Sequence, residues 1–330
     1  MDSKYYTDSL HLREYIQQYG IAIIPNVLTD KECSKSFHEM WDYFEYITSK
    51  MDIPLQRTDN KTWNTFYDLF PMHSMLIQHW GVGHSQFAWN LRKNKKILDI
   101  YSNFWNVKAE DLLVSFDGCS FHLPPEITKR GYYRGNTWYH SDQSFTRNEL
   151  ECIQSFITLN DINEGDATLS IMEKSNLYHK EFADFYDIKD KKDWYKLSKE
   201  EEEFYRIKGC NIYNITCPKG SLVIWDSRTI HCGIESIKNR KKPNIRAICY
   251  LCYCPRNKST DKFLEKKRKA FNNLRTTSHW PHKAVLFPKT PRTYGKNIPN
   301  IPEISRDGDL ISSCFNISTS CIILSSINFL

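Results

Sequence analysis

Apolar residues near the start of the chain recur at helical spacing and then stop sharply. Leu10, Leu12, Tyr15, Ile16 and Tyr19 suit a short helix over 9–20 that Gly20 ends. Ile21-Ala22-Ile23-Ile24 then reads as a buried strand closed by Pro25. Thr29 or Asp30 can cap the next helix, which carries Cys33, Phe37, Met40, Trp41 and Phe44 along one side. From 112 to 160 the pattern changes to short strands separated by turn residues, in LLVSFDG, GYYRGNTWYHSDQS and ECIQSFITLND. A second group follows in NIYNITC, GSLVIWDSRTIHCG and NIRAICYLCYC. Many short strands punctuated by Gly, Asn and Pro argue for a sandwich or barrel rather than a parallel α/β sheet. The predicted fold class is therefore mainly β with flanking helices.

Between the two strand groups, 179–209 carries the charge run KDKKDWYKLSKEEEE, which reads as a solvated helix or else as a lid over a site's mouth. Residues 261–275 read as a basic surface helix with Phe263, Leu264, Phe271 and Leu274 on one side. Leu310 to Leu330 contains no charge, but Ser, Thr and Asn interrupt it throughout, which favours a disordered or loosely packed tail over a membrane anchor.

The 330 residues are 40% hydrophobic and 25% charged, in the range of a globular protein that buries a sizeable core. A net charge of +6 is too diffuse for a dedicated nucleic-acid binder and suits an anionic ligand equally well. The eleven cysteines are odd in number and irregularly spaced, and the first twenty residues lack an apolar signal core. Both facts favour a reducing, cytoplasmic setting. Cys249, Cys252 and Cys254 mimic a zinc pattern, but in so apolar a run buried free thiols are the preferred reading.

The chemistry concentrates in Trp138-Tyr139-His140-Ser141-Asp142. Residues two apart on a strand face the same way, so His140 and Asp142 project together as two legs of a 2-His-1-carboxylate metal site. His231, at the end of the apolar run Ser221 to Asp226 and just before Gly233, supplies the third leg. Arg246 lies inside the strand NIRAICYLCY, and a buried guanidinium there demands an anionic partner, either a dicarboxylate ligand or an internal Asp or Glu. Arg240, in the preceding turn, is the alternative anion anchor.

Taken together, these segments resemble the phytanoyl-CoA dioxygenase family of non-haem iron oxygenases, from about residue 12 to about 290. GIAIIPNVLTDKEC resembles the family's opening strand and helix, WYHSDQS its first metal motif, and LNDINEGDATLSIMEKSNLYH the stretch before its variable lid. GSLVIWDSRTIHCG and KKPNIRAICYLCYCP resemble the distal-His and Arg strands, and TSHWPHKAVLFPKTPRTYG a C-terminal segment of some members.

The resemblance implies a double-stranded β-helix, or jelly roll, with a single oxygenase domain over 1–305. Its helical part would span 1–110, its core about 111–256 and its C-terminal extension 257–305, leaving 306–330 as a tail. It implies iron(II) on His140, Asp142 and His231, O2, and 2-oxoglutarate as cosubstrate with its distal carboxylate on Arg246. Thr158, Phe156 and Arg240 are weaker cosubstrate candidates, and Trp138, Arg134 and Gln143 flank the ligands on the substrate side or as support. The implied reaction is hydroxylation of a small molecule or a side chain, with succinate and CO2 as coproducts. Halogenation needs the carboxylate ligand removed, whereas Asp142 is present.

Three departures stand out. The stretch between His231 and Arg246 is longer than usual, the usual Gly-Gly is replaced by Gly165-Asp166-Ala167, and Gly233 stands where a Ser or Thr is common. Two other classes remain open: a jelly-roll binding protein that has lost turnover, and a basic nucleic-acid-binding module using 239–242 and 261–275.

Overall fold

The computed structural model describes residues 3–72, 75–295 and 300–304, and the tail expected at 306–330 lies outside the described residues. In chain order the helices are α1 (Leu12–Tyr19), α2 (Asp30–Thr48), α3 (Gln86–Arg92), α4 (Lys95–Trp105), α5 (Pro125–Thr128), α6 (His179–Phe185), α7 (Lys199–Ile207) and α8 (Asp261–Asn272). The strands are β1 (Ile21–Ile24), β2 (Leu112–Val114), β3 (Cys119–His122), β4 (His140–Ser141), β5 (Ile153–Thr158), β6 (Thr168–Met172), β7 (Tyr195–Lys196), β8 (Ile212–Asn214), β9 (Leu222–Asp226), β10 (His231–Ile234), β11 (Arg246–Leu251) and β12 (Tyr253–Pro255). Helical residues outnumber strand residues, so the helices do more than flank the strands.

The chain divides into two compact units, one from 1–27 and 124–246, the other from 28–123 and 247 onward. In the first, α1 ends where Gly20 adopts φ 75°, a left-handed conformation that glycine takes without penalty, and donates its N–H to Ile16 O. β1 then pairs antiparallel with β9, Ile21 opposite Trp225, and β9 pairs with β5 from Ile153 opposite Asp226 to Ile157 opposite Leu222. A second antiparallel sheet runs β7-β4-β10-β6-β8. Strands β4, β5, β6, β9 and β10 thus alternate between the two sheets, while the intervening β7 and β8 form the edges of the second. Every residue of β5, β6 and β9 is buried, which explains why β9 reads as a continuous apolar run from Leu222 to Trp225 rather than an alternating one.

Two expectations are corrected here. Of GYYRGNTWYHSDQS only His140–Ser141 is strand, because the backbone on either side bonds to other segments: Tyr133 N reaches Ser236 O, and Asp142 N reaches Ser227 O. Residues 179–209 are not a solvated helix. Ser198 and Glu201 form a capping box that starts α7, and β7 joins the sheet with Lys196 opposite His140. Phe182, Leu197, Phe204 and Tyr205 bury themselves with Tyr139, Phe145, Met172 and Cys232. Most charges of this segment face outward from an apolar side that belongs to the core, while Glu202 is buried and paired with Lys199 and Arg206.

In the second unit Thr29 and Glu32 make a capping box for α2. Phe44 stacks on Phe121 at 4.7 Å, with Trp41 edge-on to the same ring at 4.9 Å. β12 pairs with β2, and β11 lies beside β3. Cys249, Cys252 and Cys254 are buried free thiols, and burial pushes the Cys249 pKa up to about 12. α8 buries Leu264 and Phe271 as its pattern predicts, but also Lys267, whose ammonium sits 4.1 Å over the Phe116 ring and donates to Val114 O. Among the described residues no helix is long and apolar enough to cross a membrane.

Candidate metal centre

His140 and His231 face each other across the β4–β10 ladder, so the antiparallel register alone brings two imidazoles side by side, with ring centroids 4.4 Å apart. Asp142 lies one residue beyond the end of β4. Its backbone N–H and that of Gln143 both donate to Ser227 O at 3.1 Å, which turns the chain and swings the carboxylate back toward the histidines. Asp142 Oδ1 is then 3.6 Å from His140 Nε2, and Oδ2 is 3.3 Å from His231 Nε2. Among the described residues this is the group of His, Cys, Asp and Glu side chains close enough to share a metal, with all ligand atoms within 4.8 Å of one another.

The backbone fixes which nitrogen each histidine offers. His140 Nδ1 lies 3.1 Å from Trp138 O, and His231 Nδ1 lies 2.8 Å from Thr229 O. A carbonyl only accepts, so both Nδ1 atoms carry the proton and both Nε2 lone pairs turn inward. Burial, reinforced by the neighbouring His231, pushes the His140 pKa below its ordinary value against the pull of Asp142. The imidazole is thereby held neutral, the form that ligates a metal.

Gln154 was not singled out by the sequence reading, yet its amide donates to Asp142 Oδ2 at 2.9 Å. Gln154 is the one long polar side chain in CIQSFIT, and that was the available signal. Trp138 stacks on His140 at 4.6 Å with the planes 4° apart, and its Nε1 donates to Gly233 O at 3.1 Å. It therefore braces the ligand, and Gly233 does so through its carbonyl without needing a hydroxyl.

The other expected residues fall in distinct places. Phe156, two positions along β5 from Gln154, shares its face and carries the Arg246 guanidinium 5.4 Å over its ring. Arg246 also donates Nη1 to Ala167 O at 2.9 Å and is buried. With about 3.4 Å per strand residue, roughly 7 Å along β5 separates the position touching Asp142 from the position under Arg246. Thr158 is engaged elsewhere, its hydroxyl donating to Asn160 O at 2.6 Å. Gln143 braces the following loop through Arg147 O and Glu149 O, while Arg134 is exposed, with its charge felt by Glu235.

Arg240 is not an available anion anchor. Its buried guanidinium bonds Glu126 through Nε and Nη2 at 2.8 Å each, and Asp166 through Nη1 at 2.5 Å. The unusual Gly165-Asp166 pair thus has a structural reason. Gly165 adopts φ 83°, where a Cβ would come within 2.8 Å of Ile237, and Asp166 completes the ion pair.

No family model matches the chain. It is 26% identical over 282 residues to "Ava biosynthesis cluster protein O" of Aspergillus versicolor, covering 83% of this chain and 86% of that protein. It is 22% identical over 258 residues to a Dictyostelium discoideum protein named "Putative phytanoyl-CoA dioxygenase", covering 66% and 68%. The resemblance that the motifs suggested is thus matched by a relative bearing that family's name. Among solved structures, the "Putative Oxidoreductase" of Salmonella typhimurium LT2 shares the fold with a TM-score of 0.55 at 12% identity, covering 85% of this chain and 80% of that one.

Proposed function

We propose that the chain is an iron(II)- and 2-oxoglutarate-dependent oxygenase that hydroxylates a small organic substrate, and that its alternating strands form a double-stranded β-helix within the 1–305 domain. The observation that carries this reading is the buried convergence of two inward-turned Nε2 atoms and one carboxylate. That donor set suits iron(II), which His140, Asp142 and His231 would hold together. The strand order, in which β4, β5, β6, β9 and β10 alternate between two antiparallel sheets, supports the β-helix.

Iron held there supplies oxidation of a substrate C–H bond by O2, coupled to conversion of 2-oxoglutarate into succinate and CO2. The chain's own residues do the remaining work. Gln154 orients Asp142, and the carbonyls of Trp138 and Thr229 orient the histidines. Arg246, steadied by Phe156 and Ala167 O, supplies a fixed, permanently charged fork for the distal carboxylate of the cosubstrate. Burial of all three ligands excludes bulk water from the reacting centre.

Anaerobic addition of iron(II) and 2-oxoglutarate to the full chain should give a weak visible charge-transfer band. The band should vanish in His140→Ala, Asp142→Ala and His231→Ala proteins that keep the wild-type circular dichroism. Admitting O2 should then release succinate. A His231→Ala protein with an undiminished band would remove the third ligand, and a band without any succinate across a substrate library would leave a binding protein.

A further inference from the structure

Within the segment 179–209 the large apolar side chains Phe185, Trp194 and Ile207 are exposed, and of these Trp194 has its ring beside a residue of the candidate metal centre. Trp194 is 53% exposed, and its ring lies 5.9 Å from that of His140 at 40°. Its backbone has φ 69°, a left-handed conformation that a bulky residue rarely adopts and that persists only where its surroundings enforce it. Here they do so from both sides. Immediately before it, the Asp193 carboxylate accepts from Ser144 N at 3.2 Å and pairs with Arg147, while Asp190 O accepts from Ser144 Oγ at 3.0 Å. Immediately after it, Tyr195 pairs with Ser141, Lys196 with His140, and Leu197 N donates to Tyr139 O at 2.9 Å. The backbone is thus tied to the same 139–147 stretch that carries two metal ligands, and the indole is held beside the metal centre with half its surface uncovered.

We propose that Trp194 is a specificity-determining residue, presenting its indole beside the metal centre to a flat apolar ring system of the substrate, so that the substrate class is an aromatic or fused-ring small molecule. This rests on the reading of His140, Asp142 and His231 as the catalytic centre. Trp138 covers His140 as well, but it lies parallel to that ring with its N–H bonded to Gly233 O, so it supports the ligand. Trp194 has the free area. The charges next to it come in both signs, with Asp190 and Asp193 against Lys191, Lys192 and Lys196, so fixed charge offers little selection there. The indole offers a large rigid face and a quadrupole that favours other aromatic rings.

The test uses the full chain and two probes of different shape, 1-naphthol and the acyclic 1-octanol, measured by equilibrium dialysis with and without iron(II) and 2-oxoglutarate under nitrogen. The expected result is that 1-naphthol binds and that Trp194→Ala weakens it about tenfold, while Trp194→Phe stays within about threefold of wild type. Octanol binding should be weaker and insensitive to both changes. The visible band of the iron and 2-oxoglutarate complex should be the same in all three proteins, because Trp194 is no ligand. The thermal midpoint of Trp194→Gly should be no lower than the wild type's, since glycine accepts the left-handed backbone. Equal 1-naphthol binding by Trp194→Ala, or octanol binding that falls in parallel, overturns the assignment. Absence of the band in the wild type refutes the oxygenase reading instead, and the two failures are read from separate signals.

Discussion

Gln154 donates its amide to Asp142 Oδ2 at 2.9 Å, the same carboxylate oxygen that faces His231 Nε2 at 3.3 Å. The contact links β5 in one sheet to the end of β4 in the other, so a residue outside the candidate triad sets the aim of one within it. Gln154→Leu keeps the volume and removes the donor. Metal affinity should fall about 10- to 100-fold, as is usual for loss of a partner behind a ligand. Gln154→Glu should fall further, because it sets a second negative charge against the carboxylate. Iron(II) titration of the three proteins measures both changes, and a Gln154→Leu protein with wild-type affinity would mean that Asp142 is aimed by its backbone alone.

The two arginines separate by the kind of partner each has. Arg240 is closed between Glu126 and Asp166, with Asp166 nearly as buried as itself. Arg240→Ala leaves those carboxylates uncompensated and should destabilise the protein by about 3 kcal/mol, discounted from the upper range because Glu126 is partly exposed. Arg246→Ala should leave 2-oxoglutarate binding weaker by about 2–3 kcal/mol, the worth of a charge-assisted pair whose partner stays buried. Urea unfolding and cosubstrate titration on both variants should give opposite rankings. A larger titration defect for Arg240→Ala would return the anchor to the turn.

The convergence of His140, Asp142 and His231 and the burial of Arg246 were legible because each sits in or beside an apolar run, where a polar side chain needs a reason. Local pattern did not show how the ligands are aimed. Asp142 points inward through a turn closed by Ser227 O, eighty-odd positions away in sequence, and Gln154 looks like any polar interruption of a strand. The segment 179–209 misled for a different reason. Phe182, Leu197, Phe204 and Tyr205 are spread among dense charge, so its mean polarity hid an apolar side, although the Ser198–Glu201 capping box was readable in LSKEEEE. Because β7 pairs with the strand carrying His140, cutting out 187–197 should cost iron binding as well as substrate binding.

Lys267 gives the second unit a pH dependence with a definite sign. Its pKa falls from the ordinary 10.5 to about 7, chiefly through burial and also through Arg92, with the Cys254 and Cys252 thiols opposing. Between those two values the unfolded chain holds a proton that the folded chain has released, so stability rises with pH across that window. Below about 7 both states are protonated and the burial penalty is constant. Relative to Lys267→Met, the unfolding free energy of the wild type should therefore be flat below pH 7 and climb from there toward 10.5. Denaturant unfolding at a series of pH values checks this, and parallel curves for the two proteins would refute it.

Gly20 reaches the metal centre through one residue. Its carbonyl accepts from the Thr229 hydroxyl at 2.8 Å and from Asp226 N at 3.0 Å, and Thr229 O in turn accepts from His231 Nδ1 at 2.8 Å. A Cβ at Gly20 would fall 2.4 Å from Thr229 Oγ1 and 2.6 Å from Asn176 Oδ1, at a φ of 75° that alanine also resists. Asn176 is pinned through its amide to the carbonyls of Ile16 and Gln17, so it cannot easily retreat, and the strain passes to Thr229. Gly20→Ala should destabilise the protein by about 1–3 kcal/mol from the backbone alone. It should also loosen iron(II) by more than a matched substitution on the exposed face of α1, such as Gln17→Ala. The comparison separates general softening from a specific effect, because only the first residue abuts the turn that holds the imidazole. If the two variants lose iron affinity equally, the path from Gly20 through Thr229 to His231 carries no strain to the metal.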